Sequence, residues 1–453
     1  MKAGAGPPQG QRAQHDFSAR RKAISTTIDV TNAAVFERRE SHVRSYSRTV
    51  DAIFDTASGS IMRDVEGREY IDFLSGAGSL NYGHNDPDMR AALIDYLMRD
   101  GITHGLDLFT DAKRAFLETF EDLVLAPRRI DYRVQFTGPT GANGVEAALK
   151  LARKITGRSN VVAFTNGFHG VSQGALAATG NSHQRIGPMI PLPSVYRAPF
   201  DGYLGEEFNT ADLLEKMLDD PSSGLDAPAA ILLETVQGEG GLNVASPVWL
   251  NHIAALARKC GALLIVDDVQ AGCGRTGTFF SFERTGVVPD LVVLSKSISG
   301  YGLPMALLLI RPRYDVWEPG EHNGTFRGNA HAFVTARIAL EKFWYRSEFQ
   351  REIAGKSALV AHRLSRIADL VPGGRPKGRG MMQGVDVGSQ ALAAEIRQRC
   401  FDEGLVIETS GPYDEVVKVF AALTTPANVL ERGLDILQDA VAASTLPMLS
   451  KGA

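Results

Sequence analysis

The sequence predicts an α/β protein built on a mostly parallel β-sheet with helices on both faces. Between about residues 134 and 310, short apolar runs alternate with helical or loop segments, an order that favours parallel strands joined by helices. The runs are hydrophobic without interruption, which is typical of strands buried on both faces. They are "RVQF" at 133–136, "NVVAF" at 160–164, "AAILLE" at 229–234, "ALLIVDD" at 262–268, "LVVLS" at 291–295 and "ALLLI" at 306–310.

The segments between these runs show the periodicity of helices. In "ANGVEAALKLARKI", Val145, Ala148, Leu149 and Ala152 recur at i, i+3, i+4 and i+7. This spacing places the four residues on one face of a helix. "PVWLNHIAALARKCG" has a similar pattern and ends at Gly261, a residue type that commonly terminates helices.

The two flanks predict a second, smaller α+β domain. Residues 331–346 form a helical pattern, and a Gly-rich loop follows at 373–380. Beyond the loop come strand-like "MMQGVDV", helical "QALAAEIRQRCFDEG", strand-like "LVIET" and 415–420, and a final helix from about Ala427 to Ala443. The expected division is a mobile tail at 1–40, the N-terminal part of the small domain at 41–90, a large domain at 91–340 and the C-terminal small domain at 341–453.

The segment "IMRDVEGREYIDFLSGAG" near the N-terminus indicates a β-hairpin. Its turn is expected around Glu66–Gly67. We expect this hairpin to join the C-terminal residues in the smaller domain.

Composition and charge restrict the possible partners and location. The 453 residues are 44% hydrophobic and 22% charged, with a net charge of −4, which gives no support to nucleic-acid or anionic-membrane binding. No apolar run approaches the roughly 18 residues of a membrane span, and the first residues lack the apolar centre of a secretory signal. The three cysteines have no CxxC spacing, which argues against a zinc site and suits a reducing compartment. We therefore expect a cytoplasmic protein.

Lys296 follows the run "VVLS", at a strand end where open α/β sheets bind ligands. A lysine there could simply leave the sheet for solvent, since lysine is almost never fully buried without a partner. Alternatively, partial burial would favour the neutral amine, which can condense with an aldehyde as a Schiff-base lysine.

Asp267 ends the apolar run "ALLIVD", where a carboxylate needs a cation or several donors. It could cap the next helix or pair with an arginine such as Arg275. It could instead hold the ring nitrogen of a pyridine cofactor in its protonated form, so that the ring withdraws electrons from the substrate.

Two further segments add a phosphate site and a stacking surface. "GPTGANGVEAALK" places small residues before a helix, whose free N–H groups can bind phosphate, although an ordinary strand–helix turn would have the same sequence. "NGFHG" offers Phe168 as a flat surface for a ring, although a core phenylalanine is the usual case. With Lys296 and Asp267, these segments meet the requirements of pyridoxal 5′-phosphate.

The same residues lie in motifs that resemble the class III (ω-) aminotransferases, which are fold-type I pyridoxal-phosphate enzymes. The likeness extends from about residue 40 to the end of the chain. The motifs are "DVEGREYIDFLSGAGSLNYGHNDP", "GPTGANGVEAALKLAR", "GFHG", "ETVQGEGG", "LIVDDVQAGCGRTG", "LSKS", "NGTFRGN" and "GRGMMQG". "GPTG", "DDVQAGCGRTG", "TFRGN" and "GITHGLDL" most resemble the diaminobutyrate–2-oxoglutarate branch of the family, which serves ectoine and some siderophore pathways.

The resemblance implies individual roles around the cofactor ring. Lys296 would bind the cofactor covalently and later move the proton, and Asp267 would pair with the ring nitrogen. Val269 would pack on the ring face opposite Phe168, and Gln270 would contact the ring hydroxyl.

The resemblance also assigns the phosphate and substrate sites. The backbone of Gly141 and Ala142 would hold the phosphate, with His169 among the cofactor-binding residues. Thr325 would reach the phosphate of the neighbouring subunit, which implies a homodimer with shared active sites as the minimum assembly and leaves a tetramer open. Glu239 would be an acid that gates the substrate-carboxylate site.

Three positions depart from the family pattern. Ala142 stands where Ser or Thr is usual, so one hydroxyl to the phosphate is missing, and Asp268 stands where Glu is commoner. Lys418 replaces an arginine that often binds the substrate carboxylate, and a lysine lacks the bidentate fork of arginine.

These observations lead us to expect an aminotransferase with a small-molecule amino donor and a 2-oxo acid acceptor. It would move a terminal amino group between L-2,4-diaminobutyrate, formed from aspartate 4-semialdehyde, and 2-oxoglutarate, with glutamate as the other product, by a ping-pong mechanism. The alternatives are another ω-amino donor in a specialised pathway, an isomerase on the same fold, and a non-catalytic cofactor-binding protein. The last is disfavoured because an inactive copy has no need of a buried acid and a strand-end lysine.

Overall fold

The computed structural model describes residues 33–185, 192 and 194–449. The α-helices are α1 Ala34–Arg39, α2 Ser75–Gly78, α3 Pro87–Met98, α4 Asp111–Phe120, α5 Ala126–Arg128, α6 Gly141–Thr156, α7 Gln173–Ala178, α8 Ser182–Arg185, α9 Thr210–Asp219, α10 Pro247–Cys260, α11 Ala330–Phe343, α12 Glu348–Ala368, α13 Gln390–Asp402 and α14 Ala427–Leu449. Residues 1–32 of the predicted tail at 1–40 lie outside the described residues. The remainder of that segment includes helix α1.

The strands are β1 Phe54–Ser58, β2 Ile61–Asp64, β3 Glu69–Asp72, β4 Arg133–Phe136, β5 Val161–Phe164, β6 Val195–Ala198, β7 Ala230–Leu233, β8 Val236–Gln237, β9 Asn243–Val244, β10 Leu263–Asp267, β11 Leu291–Leu294, β12 Leu307–Ile310, β13 Arg375–Arg379, β14 Met382–Asp386, β15 Leu405–Val406, β16 Glu408–Ser410 and β17 Val416–Val419. The described residues divide into two compact units. The first holds residues up to 56 with 63–69, and the second holds 57–62 with those from 70 onward.

Within the first unit, the turn at Glu66–Gly67 forms as the sequence predicts. The Asp64 Oδ1 atom accepts hydrogen bonds from the backbone N–H of Glu66 (3.0 Å) and of Arg68 (2.9 Å). Gly67 has φ of 87°, in the left-handed region that favours glycine. An Asx-type side chain followed by glycine is therefore the cause of the turn.

The second unit contains a seven-stranded sheet in the order β4-β12-β11-β10-β7-β5-β6. Strands β11, β10, β7, β5 and β6 pair in parallel, and β12 is antiparallel to both of its neighbours. This confirms the mostly parallel α/β sheet. Strand β6 was not predicted, since "VYRA" lacks the uninterrupted apolar character of the central strands.

Successive residues of the central strands enter two different cores. Leu264 and Val266 of β10 belong to one buried cluster, and Leu263 and Ile265 belong to another. Helix α10 packs in the first cluster and α6 in the second, so helices cover both faces. The predicted face of α6, with Val145 among its four residues, is fully buried.

Helices α6 and α10 begin and end where their sequences indicate. Ser246 caps α10 by accepting from Trp249 N–H (3.2 Å), with Pro247 in its first turn. Gly261 ends the helix with φ of 69°, a conformation that costs a non-glycine residue more. These caps fix the directions in which the chain enters β10.

The C-terminal residues build an antiparallel sheet in the order β13-β14-β17-β16. The expectation of a Gly-rich loop at 373–380 is wrong, because Arg375–Arg379 forms β13 and pairs with β14. Pro376 is tolerated there because β13 is an edge strand, where a missing N–H leaves no neighbour unsatisfied. The sequence analysis also assigned nothing to α12, a helix of 21 residues.

Strand β15 does not join that sheet but pairs in parallel with β3, with Ile71 opposite Leu405. The N-terminal residues from 70 onward thus share a sheet with C-terminal ones. In the described parts of the chain, no helix is both long and apolar enough to cross a membrane.

Candidate active site

Lys296 sits in a short turn that begins just after β11 ends. Its backbone φ is 53°, which is uncommon for a non-glycine residue and must be held by its surroundings. Ser297 Oγ donates to Gly78 O (2.7 Å) and accepts from Asn81 N–H (3.1 Å). Thr335 fastens the end of the same turn by donating to Ser299 O (2.7 Å).

The amine of Lys296 is half-buried and available. Among the described residues, its Nζ has no hydrogen bond and no ion pair. Burial lowers the pKa of Lys296 against the opposing charge of Glu239, and the charge of Lys418 lowers it further. A larger fraction of the amine is therefore neutral, the form that reacts with an aldehyde.

Asp267 ends β10 and is 5% exposed. Its Oδ2 lies 2.8 Å from His169 Nδ1, and its Oδ1 accepts from Val269 N–H (3.2 Å). The alternative pairing with Arg275 is wrong, because that guanidinium binds Asn81 Oδ1 and backbone carbonyls instead. The carboxylate still has lone pairs for a third partner.

His169 is 3% exposed and serves Asp267. Burial alone would lower the pKa of His169, but the hydrogen bond and charge of Asp267, with the charge of Glu234, raise it. A histidine held in this way keeps a positive or donating ring nitrogen on the carboxylate. The direct partner of the His169 ring is therefore Asp267, and any effect on a cofactor would pass through that carboxylate.

Two further buried acids surround this pair. Burial raises the pKa of Glu234 to about 7, although its carboxylate accepts from the N–H groups of Phe168 (2.9 Å) and Gly238 (3.2 Å). Burial also raises the pKa of Asp268 to about 7, although it accepts from Ser281 N–H (3.1 Å). The charge of Asp267 adds to the rise in both of these pKa values.

The predicted phosphate loop is the N-terminus of α6. Thr140 caps the helix by accepting from Asn143 N–H (3.3 Å). A side chain at Gly141 would lie 3.0 Å from Val269, and one at Gly170 would lie 2.6 Å from the Ala142 Cβ. The N-terminus of α6 therefore packs tightly against Val269, two residues after Asp267. This contact places the predicted phosphate loop next to a residue predicted to pack on the cofactor ring.

Phe168 is half-buried and belongs to none of the buried core clusters among the described residues. The alternative of an ordinary core phenylalanine is therefore wrong. Its backbone N–H is fixed by Glu234. Val269 is half-buried in the same way, so both predicted ring-packing residues keep accessible surface.

Gln270, the predicted partner of the ring hydroxyl, links Ala77 to Glu239. Its Nε2 donates to Ala77 O (3.1 Å) and to Glu239 Oε1 (3.2 Å). Its Oε1 is buried and finds no partner among the described residues, which costs free energy unless a ligand group donates to it.

Glu239 and Lys418, which the sequence assigns to the substrate, form an ion pair of 3.3 Å. Lys418 is fully buried and also pairs with Glu408 at 2.8 Å. Although burial would raise the pKa of Glu239, the charges of Lys418 and Lys296 lower it. Burial raises the pKa of Glu408 against the charge of Lys418.

Thr325 lies apart from these residues. It is exposed in the loop between β12 and α11. The structure thus gathers Lys296, Asp267, Gln270, Glu239 and Lys418 and leaves Thr325 on the surface of this chain.

The residues present fit a pyridoxal phosphate. Among the residues that the structure describes, the Lys296 amine and Gln270 Oε1 have no partner, and the site also offers the Asp267 carboxylate with spare lone pairs and a helix N-terminus. Those groups match the aldehyde, the ring hydroxyl, the ring nitrogen and the phosphate of this cofactor in turn.

Comparison with known proteins agrees with this chemistry. The model of the family described as "Aminotransferase class-III" matches residues 43–441. The chain belongs to the class III aminotransferases. It is therefore a pyridoxal-phosphate-dependent transaminase of fold type I, as the sequence predicts.

Several relatives cover almost the whole chain. A diaminobutyrate–2-oxoglutarate transaminase of Vibrio cholerae is 57% identical over 89% of this chain and 98% of its own length. A protein of the same name from Halalkalibacterium halodurans is 52% identical over 91% and 97%. An uncharacterised aminotransferase of Sinorhizobium fredii is 53% identical over 94% and 95%.

Solved structures share the fold. An ornithine aminotransferase of Toxoplasma gondii has a TM-score of 0.77 at 25% identity, over 90% of this chain and 94% of its own. A Bacillus anthracis aminotransferase has a TM-score of 0.80 at 21% identity, over 90% and 97%.

Sequence reasoning missed two functional features of this site. Glu408 was hidden in the strand-like "LVIET", where nothing in the sequence pairs it with Lys418. The supports of the lysine turn, Ser297 and Thr335, were also missed because their partners are backbone atoms far away in sequence. Glu408 could have been identified as the partner of Lys418 if the register of β16 against β17 had been known.

Glu234→Gln should change how stability depends on pH. Because the folded-state pKa of Glu234 is raised from 4.5 to about 7, the folded protein holds a proton that the unfolded chain releases. Stability is therefore lost as the pH rises from 4.5 to 7, and an amide, which does not titrate, avoids this loss. Between pH 5 and 8, urea denaturation should show the variant gaining about 1–3 kcal/mol of unfolding free energy relative to the wild type.

Glu207→Gln, on an exposed loop, is the matched control and should give a difference that does not vary with pH. The same flat result for Glu234→Gln would show that the buried carboxylate is ionised throughout.

Proposed function

We propose that this chain moves a terminal amino group between L-2,4-diaminobutyrate and 2-oxoglutarate in two half-reactions. The observation that carries this proposal is the Lys296 amine, which has no hydrogen bond or ion pair among the described residues and whose pKa is affected by burial and by Glu239, Lys418 and Asp267. The names of the relatives from Vibrio cholerae and Halalkalibacterium halodurans support the substrate pair.

The bound cofactor supplies an electron-withdrawing ring that makes the substrate carbon acidic. Asp267, which His169 holds by a hydrogen bond of 2.8 Å, would accept the N–H of that ring nitrogen. Lys296, at the end of β11, is the proposed base, since burial lowers its pKa and increases the fraction of neutral amine that can accept a proton. Phe168 and Val269 would exclude water from the two faces of the ring.

The substrate end of the site contains both signs of charge. Glu239 can bind an ammonium group, and Lys418 can bind a carboxylate once Glu239 moves away. An amino acid with two amines and a dicarboxylic oxo acid carry those groups. This complementarity supports the two substrates, with an ω-amine of another specialised pathway as the competing donor.

We also propose that the active unit is a homodimer, with the tetramer as an open extension. Several large apolar side chains between residues 97 and 109 are exposed, with Phe109 fully exposed, and Phe326 is exposed as well; the others are Leu97, Met98, Ile102 and Leu108. His104 packs edge-on against Phe326 (5.3 Å between ring centroids), next to Thr325. A second copy covering these side chains would bring Thr325 to the partner's phosphate site. A cytoplasmic location, in which all three cysteines stay reduced, belongs to the same proposal.

Lys296→Ala should abolish amino transfer but retain part of the bound cofactor. The phosphate and stacking contacts do not depend on the amine, whereas the proton transfer does. Activity assays and cofactor absorbance will measure both, with Lys259→Ala at an exposed surface pair as control. Near-normal turnover of Lys296→Ala would refute the assignment.

L-2,4-diaminobutyrate should remove the absorption band of the bound cofactor, and 2-oxoglutarate should then restore it. Each half-reaction leaves the cofactor in a different form, so the spectrum follows them separately. The Lys296→Ala protein is the control and should show neither change. A band that ignores diaminobutyrate but responds to other ω-amines would replace the proposed donor, and no band after adding pyridoxal phosphate would favour the non-catalytic alternative.

Mixing two inactive variants should restore activity if the active sites are shared. A hybrid of Lys296→Ala and Thr325→Asp subunits contains one site with both native residues, so about a quarter of the sites should recover on random mixing. Each variant alone is the control, and light scattering gives the mass. No recovery from mixed dimers, or a monomeric active protein, would contradict the proposal.

A further inference from the structure

Lys418 has two acidic partners that differ in how firmly they are held. Its Nζ lies 2.8 Å from Glu408 Oε1 and 3.3 Å from Glu239 Oε1, and its side chain has no exposed surface. The Glu408 side chain is 9% exposed, whereas that of Glu239 is 34% exposed. The buried ammonium therefore has one enclosed partner and one that faces the site.

Glu408 is fixed by the sheet itself. Strands β16 and β17 pair antiparallel with Glu408 directly opposite Lys418, which brings cross-strand side chains together. On the other side of β17, Gly384 lies opposite Lys418, and a side chain there would come within 3.2 Å of the lysine Cα. The backbone thus sets the Glu408–Lys418 pair, and separating it would expose a buried charge.

The Glu239 side chain is held much less firmly. Glu239 lies in the turn between β8 and β9, outside any strand, where its backbone O accepts from Gly411 N–H (3.0 Å). The second hydrogen bond of its carboxylate, besides that of Lys418, is the 3.2 Å contact from Gln270 Nε2. Its neighbours are glycines at 238 and 240, where a Cβ would meet Gln270 or Asn166 at 1.6 and 2.1 Å. The Glu239 side chain therefore faces the site from a turn that has no room for other side chains.

We propose that Glu408 is a positioning residue that sets substrate preference by holding Lys418 in a permanent ion pair, so that the site keeps a net negative charge toward incoming substrates. The proposal deepens the proposed aminotransferase function and rests on it. The net negative charge favours donors with a second ammonium group, as diaminobutyrate has, over dicarboxylates.

The charges explain the direction of this preference. Two carboxylates and one ammonium give one excess negative charge when all three groups are ionised. An incoming ammonium group is attracted to that charge, whereas a dicarboxylate must replace Glu239 while Glu408 still repels it. An amide at 408 would keep the shape of the pair and remove the repulsion.

The test measures two ligands at pH 8 with the holoenzyme. Isothermal titration calorimetry gives the affinity for glutarate, an inert dicarboxylate with no amino or oxo group, and stopped-flow absorbance gives kcat/KM of the diaminobutyrate half-reaction. For Glu408→Gln we expect roughly five-fold tighter glutarate binding and a similar loss in kcat/KM for diaminobutyrate. Glu408→Asp, which keeps the charge, should stay near the wild type for glutarate.

Glu395→Gln is the matched control, because its carboxylate pairs with Arg399 on an exposed helix face, and it should change neither value. If the role of Glu408 were purely structural, Glu408→Gln would lower both the affinity for glutarate and kcat/KM for diaminobutyrate. That result would overturn the proposal, and so would unchanged glutarate binding in a folded variant. Should the wild type ignore diaminobutyrate while Glu408→Gln still tightens glutarate, the donor would be wrong and the role of Glu408 would stand.

Discussion

Burying Asp267 at the end of β10 is the constraint on which the rest of the site depends. A carboxylate in a strand with no exposed neighbours is costly unless cations and donors surround it. His169 and the Val269 N–H provide part of that compensation. Burial raises the pKa values of the neighbouring Glu234 and Asp268 to about 7. The protonated nitrogen of a cofactor ring would supply a further donor to the Asp267 carboxylate.

The same principle explains the substrate end. A fully buried lysine needs compensation, and the sheet supplies it through Glu408 on the adjacent strand. Glu239 then adds a second carboxylate from a turn, where it can exchange with a ligand. The fold therefore supplies a buried partner to Asp267 and to Lys418, and Glu239 is the more exposed of the two carboxylates on Lys418.

The sequence was sufficient for the sheet and for the identity of the cofactor, because both can be inferred from local patterns. Uninterrupted apolar runs identify strands buried on both faces, and residues at the ends of such strands meet at one edge. Contacts set by register were out of reach: nothing in "LVIET" places Glu408 opposite Lys418, and the Asp267–His169 pair joins residues 98 positions apart. The Arg275 alternative failed for that reason, since its partners come from three distant segments.

The residues of strand β13 make the strand difficult to predict from the sequence and also protect it from pairing with another chain. "RPKGR" looks like a loop because it combines a proline, a glycine and three cations, yet these residues form the outer strand of the C-terminal sheet. Proline and like charges on an outer strand discourage a second chain from extending the sheet. The residues that make β13 difficult to predict from the sequence are therefore the same residues that protect this sheet edge from aggregation.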